Sequence, residues 1–235
     1  MDKFKRVMLK LSGEALAGDK HTGFDLATVE SVAQEVKQAW EEGVEIAVVI
    51  GGGNFWRGRT GNEIDRVKSD QIGMLATVMN AIYVSEVFRS AGMKTAVFSA
   101  FEIPGMVPVF DKDEAMKALA DKKITFFAGG TGHPYFSTDS GTVLRAIEIE
   151  ADIILMAKAV DGIYDADPKT HPDAKRFDKI SLSELVERQL NAIDQTASVL
   201  CKENKMPLGV FSLNQPGNIA DALNGRIDGT IVTAE

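Results

Sequence analysis

Short runs of apolar residues alternate along this chain with longer segments in which apolar positions recur at helical spacing. The runs predict β-strands at Phe4–Leu11, Glu45–Ile50, Thr95–Ser99, Ile124–Ala128, Ile153–Ala157, Leu208–Ser212 and Thr230–Thr233. The segments predict helices at Asp25–Glu42, Asp70–Ala91, Asp113–Asp121, Asp139–Glu150, Ser183–Leu190, Asp194–Asn204 and Asn218–Leu223. Apolar strands separated by helices are typical of a mostly parallel sheet covered on both faces. We therefore expect residues 1–235 to form a single three-layer α/β/α domain.

The predicted helix over residues 70–91 carries an unusually wide apolar face. Its members are Met74, Leu75, Val78, Met79, Ile82 and Tyr83. Such a face is explained equally by burial under the sheet and by contact with another subunit. The sequence leaves both explanations open.

Residues that suit phosphate binding follow the predicted strands, where ligands bind in parallel sheets. Gly51, Gly52 and Gly53 come directly after the second strand. Glycines there allow positive φ and close approach of the backbone, so that successive N–H groups form an anion site, although a tight turn alone also needs glycine. Arg57 and Arg59 follow a few residues later and favour the phosphate interpretation.

Two common phosphate-binding patterns are absent from the sequence. The chain contains no G-x-x-x-x-G-K-[ST] run, and Trp56 stands where G-x-G-x-x-G requires its last glycine. These observations disfavour both a P-loop nucleotide kinase and a Rossmann dehydrogenase.

Lys10 ends the first predicted strand and is followed by Ser12 and Gly13. An ammonium group at a strand's carboxyl end is positioned to reach an anion held by the neighbouring glycine turn. Taken alone, Lys10 would more simply be a surface lysine at the strand end. The glycine turns on adjacent strands favour the anion-binding role.

Two further segments combine turn residues with polar side chains. The stretch 129–140 contains a second glycine turn, several hydroxyls and Asp139, which is either the N-cap of the next helix or an acid in its first turn. His133, between glycine and proline, is expected to line a site through its backbone. In the stretch 160–168, an aromatic residue between turns suits packing against a purine base, while Asp167 followed by proline also suits a simple turn.

The composition narrows the class of protein. There are 34 acidic and 26 basic residues, a formal net charge of −8, which disfavours nucleic acid as a primary partner. The longest uncharged run, Gln71 to Ser85, is too short to cross a bilayer, and the first residues do not form a signal peptide. We expect a soluble protein in which Cys201, the single cysteine, is buried, and in which the three histidines form no metal site.

Several motifs, in one order, strongly resemble those of the bacterial UMP kinases. They are KLSGEAL, VVIGGGNFWRG, SDQIGMLATVMNA, GGTGHPYFSTD, EIEADIILMAKAVDGIYDADP and GTIV, which together span Phe4 to Val232. That family belongs to the amino acid kinase superfamily. The resemblance implies the amino acid kinase fold, transfer of the γ-phosphoryl of ATP to UMP, Mg²⁺ bound with ATP, a cytoplasmic location and a homohexamer.

The resemblance also implies the residues that bind each nucleotide. The implied ATP site consists of Lys10, Leu11, Ser12, Gly13, Gly53, Arg57, Tyr164 and Asp167. The implied UMP site consists of Gly52, Asp70, Thr131, Gly132, His133, Pro134, Tyr135, Phe136, Ser137 and Thr138. Asp70 would lie at the ribose, the stretch 131–138 would frame uracil and the acceptor phosphate, and Asp139 would organise the cationic side chains. Lys10, Arg57 and Asp139 are the implied catalytic residues.

The chain departs from the family pattern at two places. Lys158 and Ala159 stand in a loop where family members carry Thr or Asn, and we interpret Lys158 as a second cation facing the ATP phosphates. The family is typically activated by GTP and inhibited by UTP. An arginine that members often place near the third strand is here Ala96, while Lys123 stands where another basic residue is expected.

The implied reaction requires no general base, because the attacking phosphate oxygen is already ionised near neutral pH. Two alternatives stay open at this stage. One is another activity of the superfamily, on carbamate or acetylglutamate, and the other is a non-catalytic sensor of uridine nucleotides.

Overall fold

A computed structural model describes residues 4–57, 64–168, 170–190 and 193–234. The strands are β1 Arg6–Leu11, β2 Glu45–Ile50, β3 Thr95–Ser99, β4 Ile124–Ala128, β5 Ile153–Lys158, β6 Ile163–Tyr164, β7 Arg176–Phe177, β8 Lys179–Ser181, β9 Leu208–Ser212 and β10 Gly229–Thr233. The α-helices are α1 Gly13–Leu16, α2 Leu26–Glu41, α3 Arg66–Ser90, α4 Lys112–Ala120, α5 Thr138–Glu148, α6 Leu182–Glu187, α7 Gln195–Glu203 and α8 Asn218–Leu223.

Eight of these strands form one sheet in the order β3-β4-β2-β1-β5-β9-β10-β8. Every pairing is parallel except β9 with β10. The strands β6 and β7 form a separate antiparallel ribbon. The predicted mostly parallel sheet is therefore confirmed. Strand β1 lies at its centre, between β2 and β5.

Helices cover both faces of the sheet, and each face has its own core. Val7, Leu9 and Leu11 pack with α2, α3 and α8 on one face, whereas Met8 packs with α4 to α7 on the other. Successive side chains of a strand point to opposite faces, so Lys10 lies on the same face as Met8. Lys10 is thus directed toward α5.

Six of the eight helices in the described residues begin where a side chain caps their first N–H groups, α1 and α8 being the exceptions, and this explains the largest difference from the predicted bounds. The Asp65 carboxylate accepts from the Lys68 N–H, so α3 starts at Arg66 and not at Asp70. Asp111 and Ser181 cap α4 and α6 in the same way. The short ribbon β6–β7 was not predicted, because its strands are two residues long and carry no alternation of apolar and polar positions.

Burial under the sheet accounts for only part of the apolar face of helix α3. Val78, Val84 and Phe88 are buried against the sheet, while Ile72, Leu75 and Met79 are 40%, 51% and 47% exposed. In the described part of the chain, α3 alone is long and apolar enough to cross a membrane by length and composition. A core helix of a soluble protein has the same properties, so this feature does not indicate a membrane protein.

Candidate active site

The tips of β1 and β2 approach each other so closely that position 13 requires glycine. A Cβ atom on Gly13 would lie 2.1 Å from the Gly51 carbonyl oxygen and 2.6 Å from Asn54 Oδ1. No larger residue fits in that space. The turns that follow the two strands therefore pack directly against each other at the carboxyl edge of the sheet.

A cleft of about 350 Å³ opens at this edge, between the two turns, the start of α3 and the loop before α5. We call it the sheet-edge cleft. Among the predicted site residues, it is lined by Lys10, Ser12, Gly13, Gly52, Gly53, Arg57, Asp70, Thr131, His133, Phe136, Ser137 and Thr138. The side chain of Leu11 is instead buried in the core. Gly132, Pro134 and Tyr135 lie in the same loop but do not line the cleft.

Lys10 and Asp139 form an ion pair in the cleft. Lys10 Nζ lies 3.0 Å from Asp139 Oδ1, and the two side chains are 14% and 18% exposed. Ser137 is the N-cap of α5. Asp139 is therefore not the N-cap but an acid in the first turn of this helix. The positive end of the helix dipole stabilises a carboxylate there.

Lys158 provides a second cation close to this pair. The register of β5 on β1 sets Met156 opposite Lys10, and Lys158 follows two residues later, so both lysines lie on one face. Burial lowers the pKa of Lys158, Asp139 raises it, Lys10 lowers it and Asp194 raises it, with a net lowering. The loss of hydration thus outweighs the attraction of the two carboxylates.

The two glycine turns differ in backbone conformation. Gly129, Gly130 and Gly132 have φ of +79°, +60° and +82°. The glycines at 51–53 have no positive φ. Two reasons for glycine were expected there, positive φ and close approach of the backbone, and only the close approach is observed. Gly51 donates its N–H to the Leu11 carbonyl at 3.1 Å. Within the described residues, the N–H groups of Gly52 and Gly53 have no acceptor and remain available to an anion.

Asp70 connects α3 to the loop before α5. Its Oδ2 accepts from Arg66 Nε at 2.9 Å and from the Tyr135 N–H at 2.8 Å. Tyr135 has φ +71°, a conformation that a bulky residue rarely adopts, and the Arg66 guanidinium lies 5.5 Å from its ring centroid. The carboxylate of Asp70 therefore stabilises a strained loop as well as lining the cleft.

Two buried polar contacts that hold the glycine turns were missed by sequence reasoning. Asn80 Nδ2 donates to the Gly51 carbonyl at 2.7 Å, and its amide also bonds to that of Asn54. Thr77 Oγ1 accepts from the Gly129 N–H at 2.8 Å. The available signal was a pair of polar residues on the inner face of the apolar helix α3, because buried polar groups are nearly always hydrogen-bonded.

Arg57 lies at the opening of the cleft, 62% exposed, and pairs with Glu14. Glu14 packs against Gly53, where a Cβ atom would come 2.8 Å from Glu14 Oε1. Sequence reasoning missed Glu14, since an acid beside a phosphate site has no obvious role. Arg59, the other predicted cation, lies outside the described residues.

A second cleft of about 440 Å³ begins at Lys158 and runs along β6, the first strand of the ribbon, and residues 165–168 to the residues that follow α6. We call it the ribbon cleft. The predicted residues Lys158, Tyr164 and Asp167 line it. The Tyr164 hydroxyl donates to Asp161 Oδ1 at 2.8 Å, and this bond raises the pKa of Tyr164. Lys10 lines the sheet-edge cleft, and Lys158 lines the ribbon cleft two residues beyond Met156, the partner of Lys10 on the neighbouring strand. The two clefts therefore meet at this pair of lysines.

Asp194 is a further carboxylate near this junction that sequence reasoning treated only as a helix start. It caps α7 through the Ala197 N–H at 3.0 Å, and it accepts hydrogen bonds from Ser137 and Ser140. Ser137, assigned above to UMP, thus has its hydroxyl engaged in fixing α5 to α7. Behind them, Cys201 is buried as expected, and burial raises its pKa to about 12.

The arrangement suits a ligand that carries phosphate groups between two bases. Cations and backbone donors converge where the clefts meet, an aromatic ring lines the ribbon cleft, and Asp70 lies at the far side of the sheet-edge cleft. In the described part of the chain, no group of three or more His, Cys, Asp or Glu side chains is arranged to hold a metal ion.

Comparison with known proteins identifies the relatives of this chain. The amino acid kinase family model matches residues 5–212. A uridylate kinase of Pediococcus pentosaceus is 48% identical over 236 residues, which cover 99% of this chain and 98% of the relative. The resemblance drawn from the motifs is therefore confirmed.

Solved structures give the same result for the fold. The UMP kinase of Bacillus anthracis matches with a TM-score of 0.94 at 34% identity, covering 99% of this chain and 97% of the other. The UMP kinase of Ureaplasma parvum matches with a TM-score of 0.92 at 34% identity, covering 99% of this chain and all of the other.

Proposed function

This chain belongs to the amino acid kinase family, and from that premise we propose that it is a UMP kinase, transferring the γ-phosphoryl group of ATP to the phosphate of UMP. One observation carries the site assignment: the Lys10–Asp139 pair lies between Gly52 and Gly53 in one cleft and Lys158 at the start of the other. Two nucleotides bound in the two clefts would meet with their phosphates at these cations.

The chemistry that the site must perform is charge stabilisation and alignment. The acceptor phosphate oxygen is already ionised, so no side chain has to remove a proton from it. Phosphoryl transfer passes through a loose, in-line transition state whose charge is spread over the transferred oxygens. The rate therefore depends on holding two polyanions together in line and neutralising them.

Lys10, Arg57 and Asp139 have distinct roles in this proposal. Lys10 neutralises the transferred phosphoryl group, and Asp139 holds its ammonium group in place through their ion pair. The N–H groups of Gly52 and Gly53 add fixed donors to the phosphates. Arg57 exchanges Glu14 for a phosphate, since both are anions and a guanidinium binds either through paired N–H groups.

The ribbon cleft is assigned to the adenosine part of ATP and the sheet-edge cleft to UMP. The predicted ATP residues Lys10, Ser12, Gly13, Gly53 and Arg57 line the sheet-edge cleft and would bind the ATP phosphates there. Tyr164 would pack against adenine, Asp167 would bind the ATP side, and Lys158 would act as a second cation toward the ATP phosphates. Asp70 would accept from the ribose, and the loop 131–138 would frame uracil.

Mg²⁺ is proposed to arrive with ATP. The donor set near Lys10 fits a metal held mainly by phosphate oxygens and water, because the carboxylates of Asp139 and Asp194 are already engaged by Lys10 and by two serines. When bound, Mg²⁺ supplies neutralisation of charge between the β- and γ-phosphates.

The test is ADP release from ATP in the presence of UMP, CMP, dTMP or acetylglutamate. Turnover with UMP alone supports the proposal. Turnover with acetylglutamate identifies another activity of the family, and tight UMP binding without turnover identifies a nucleotide sensor.

The assembly and regulation of the enzyme are further parts of the proposal. We infer a cytoplasmic homohexamer that GTP activates and UTP inhibits. The exposed residues Ile72, Leu75 and Met79, which follow one face of α3, support a subunit contact. Light scattering at micromolar concentration tests the assembly, and a monomer would contradict it. Rates measured with added GTP and UTP test the regulation.

A further inference from the structure

Arg176 joins the ribbon β6–β7 to two other segments of the chain. Its Nη1 donates to Asp161 Oδ2 at 2.9 Å, in the turn before β6. Both terminal nitrogens also lie 3.5 Å from Asp228 Oδ1, just before β10. The Arg176 side chain is 28% exposed, whereas its partners Asp161 and Asp228 are 47% and 60% exposed, so the contacts lie at the protein surface with the guanidinium as their more buried member.

Asp161 connects Arg176 to Tyr164 through hydrogen bonds to both. Each of its two carboxylate oxygens has a different partner: Oδ2 accepts from Arg176 and Oδ1 accepts from the Tyr164 hydroxyl at 2.8 Å. Burial raises the pKa of Asp161, but the hydrogen bonds from Tyr164 and from the backbone, together with the charge and hydrogen bond of Arg176, lower it by more, so the net change is a lowering. The carboxylate is thus held ionised between two donors, with its orientation fixed at both ends.

Arg176 packs directly behind Gly162, which lines the ribbon cleft, while Arg176 itself does not line it. A Cβ atom on Gly162 would lie 2.7 Å from both Arg176 Cδ and Thr230 Oγ1. Thr230 Oγ1 also accepts from the Ile163 N–H at 2.8 Å. The stem of Arg176 and Thr230 therefore fix the backbone at Gly162 and Ile163, the two residues before Tyr164. The guanidinium acts on the Tyr164 hydroxyl through Asp161.

We propose that Arg176 is a positioning residue for the donor nucleotide, which orients Tyr164 through Asp161 and so prepares the ribbon cleft for ATP. This inference rests on the proposed function, in which the ribbon cleft binds ATP. Arg176 itself touches neither nucleotide. Its effect is specific to one substrate, because the sheet-edge cleft contains none of the residues of this network.

The test compares Arg176→Met, Arg176→Lys and Tyr164→Phe in kinetics and in direct binding. Arg176→Met keeps the apolar stem and removes the charge, and Tyr164→Phe keeps the ring and removes the hydroxyl.

We expect Arg176→Met to raise KM and Kd for ATP about tenfold, the size of one lost charge-assisted hydrogen bond, with KM for UMP unchanged. Arg176→Lys should restore part of the loss. Arg226→Met is the matched control, since Arg226 also pairs with an aspartate, Asp221, but is 68% exposed and, within the described residues, bonds to none that contacts Tyr164.

The double variant distinguishes positioning from a merely structural role. If Arg176 acts through Tyr164, Arg176→Met combined with Tyr164→Phe should weaken ATP binding no more than the larger single change. Equal losses for ATP and UMP, an unchanged Kd for ATP, or additive effects would each overturn the proposal.

Two further measurements keep the proposal testable in all cases. If Arg176→Met does not fold, Asp228→Asn removes a partner of Arg176 while leaving Asp161 and Tyr164 in place, and it should raise the Kd for ATP by a smaller factor without changing KM for UMP. No change in Kd for ATP would again contradict the inference. Calorimetric binding of a non-hydrolysable ATP analogue separates the two proposals, because wild-type protein that binds it without phosphorylating UMP contradicts the function and not the role of Arg176.

Discussion

The two clefts that meet at Lys10 and Lys158 are built in different ways. The sheet-edge cleft is formed by turns that directly follow parallel strands, and its geometry is fixed by backbone packing, as at Gly13 against Gly51. The ribbon cleft is formed by a short ribbon outside the main sheet, and its geometry depends on side chains such as Arg176. The fold itself thus specifies one half of the site, while single side chains specify the other half.

This difference predicts how the two halves respond to substitution. Changes to the charges at the sheet edge should affect the chemical step or the acceptor, because the surrounding backbone stays in place. Changes around the ribbon should mainly affect ATP binding. The following predictions test that division, beginning with the largest effect.

Lys10→Ala should lower kcat by at least about a hundredfold, as loss of one preorganised charge contact does. The cause is loss of the cation that pairs with Asp139 at the point of transfer. Steady-state ADP release measures it. Lys112→Ala is the matched control, because Lys112 also forms a lysine–carboxylate pair, with Glu150, but at an exposed position away from both clefts. Normal turnover of Lys10→Ala would show that Lys10 is not catalytic.

Asp70→Asn should raise KM for UMP about tenfold and KM for ATP little, since a charged hydrogen-bond acceptor in the acceptor cleft is lost. Initial rates with each substrate varied in turn provide the test. The exposed Asp113→Asn, in the first turn of α4, serves as control. An equal loss for both nucleotides would contradict the assignment of the sheet-edge cleft to UMP.

The pH above which kcat/KM for ATP falls should be set by deprotonation of Lys158. Burial lowers its pKa, and the ammonium form is the one that neutralises phosphate, so activity should fall as pH rises through a value below that of an ordinary lysine. Lys158→Arg should move the fall to higher pH, because arginine stays protonated. A pH profile that is unchanged in this variant would exclude Lys158 from the site.

Lys158 should support activity but lower the stability of the folded protein near pH 7. Its folded-state pKa is lowered, so the unfolded chain binds more protons between the two pKa values and stability from this group rises with pH across that window. Lys158→Met should therefore raise the free energy of unfolding near pH 7, by about 1 kcal/mol, while weakening ATP binding. Urea unfolding at several pH values measures the gain, which should shrink as pH rises toward the ordinary lysine pKa. A loss of stability at pH 7 would contradict the stated balance of burial and charge.

The smallest effect is expected at Cys201, behind the junction of the clefts. Its pKa is raised to about 12 and it is buried, so a thiol reagent at pH 8 should not modify the native protein. Cys201→Ala should change either KM by less than about twofold, because the thiol is an inert packing group. Rapid modification of native protein would show that the region between α5 and α7 opens in solution.

Most of the sheet, except the short edge strand β8, and the grouping of residues at its carboxyl edge were predicted from the sequence, because both follow from local patterns. A strand buried on both faces is apolar throughout, and four predicted strands, such as Glu45–Ile50, have the observed bounds. The residues after β1, β2 and β4 then had to meet at one edge. Their neighbourhood required no knowledge of long-range side-chain contacts.

The rest of the candidate site depends on contacts between residues that are far apart in the sequence. A single sequence does not reveal such contacts. Arg176 meets Asp161 and Asp228 only because the ribbon folds back onto β10, and Asp194 meets Ser137 only because α7 packs on α5. The double use of Asp70, toward Arg66 and Tyr135, has the same origin. Polar residues inside apolar helices, such as Asn80, were the signal that sequence reasoning had available and did not use.

The most direct test of the head-to-head arrangement is a crystal structure with a bisubstrate analogue in which a polyphosphate joins uridine to adenosine. The account predicts uridine beside Asp70 and the loop 131–138, adenosine beside Tyr164, and the polyphosphate between Lys10, Lys158 and the N–H groups of Gly52 and Gly53. A polyphosphate out of reach of Lys10, or both nucleosides in one cleft, would contradict it.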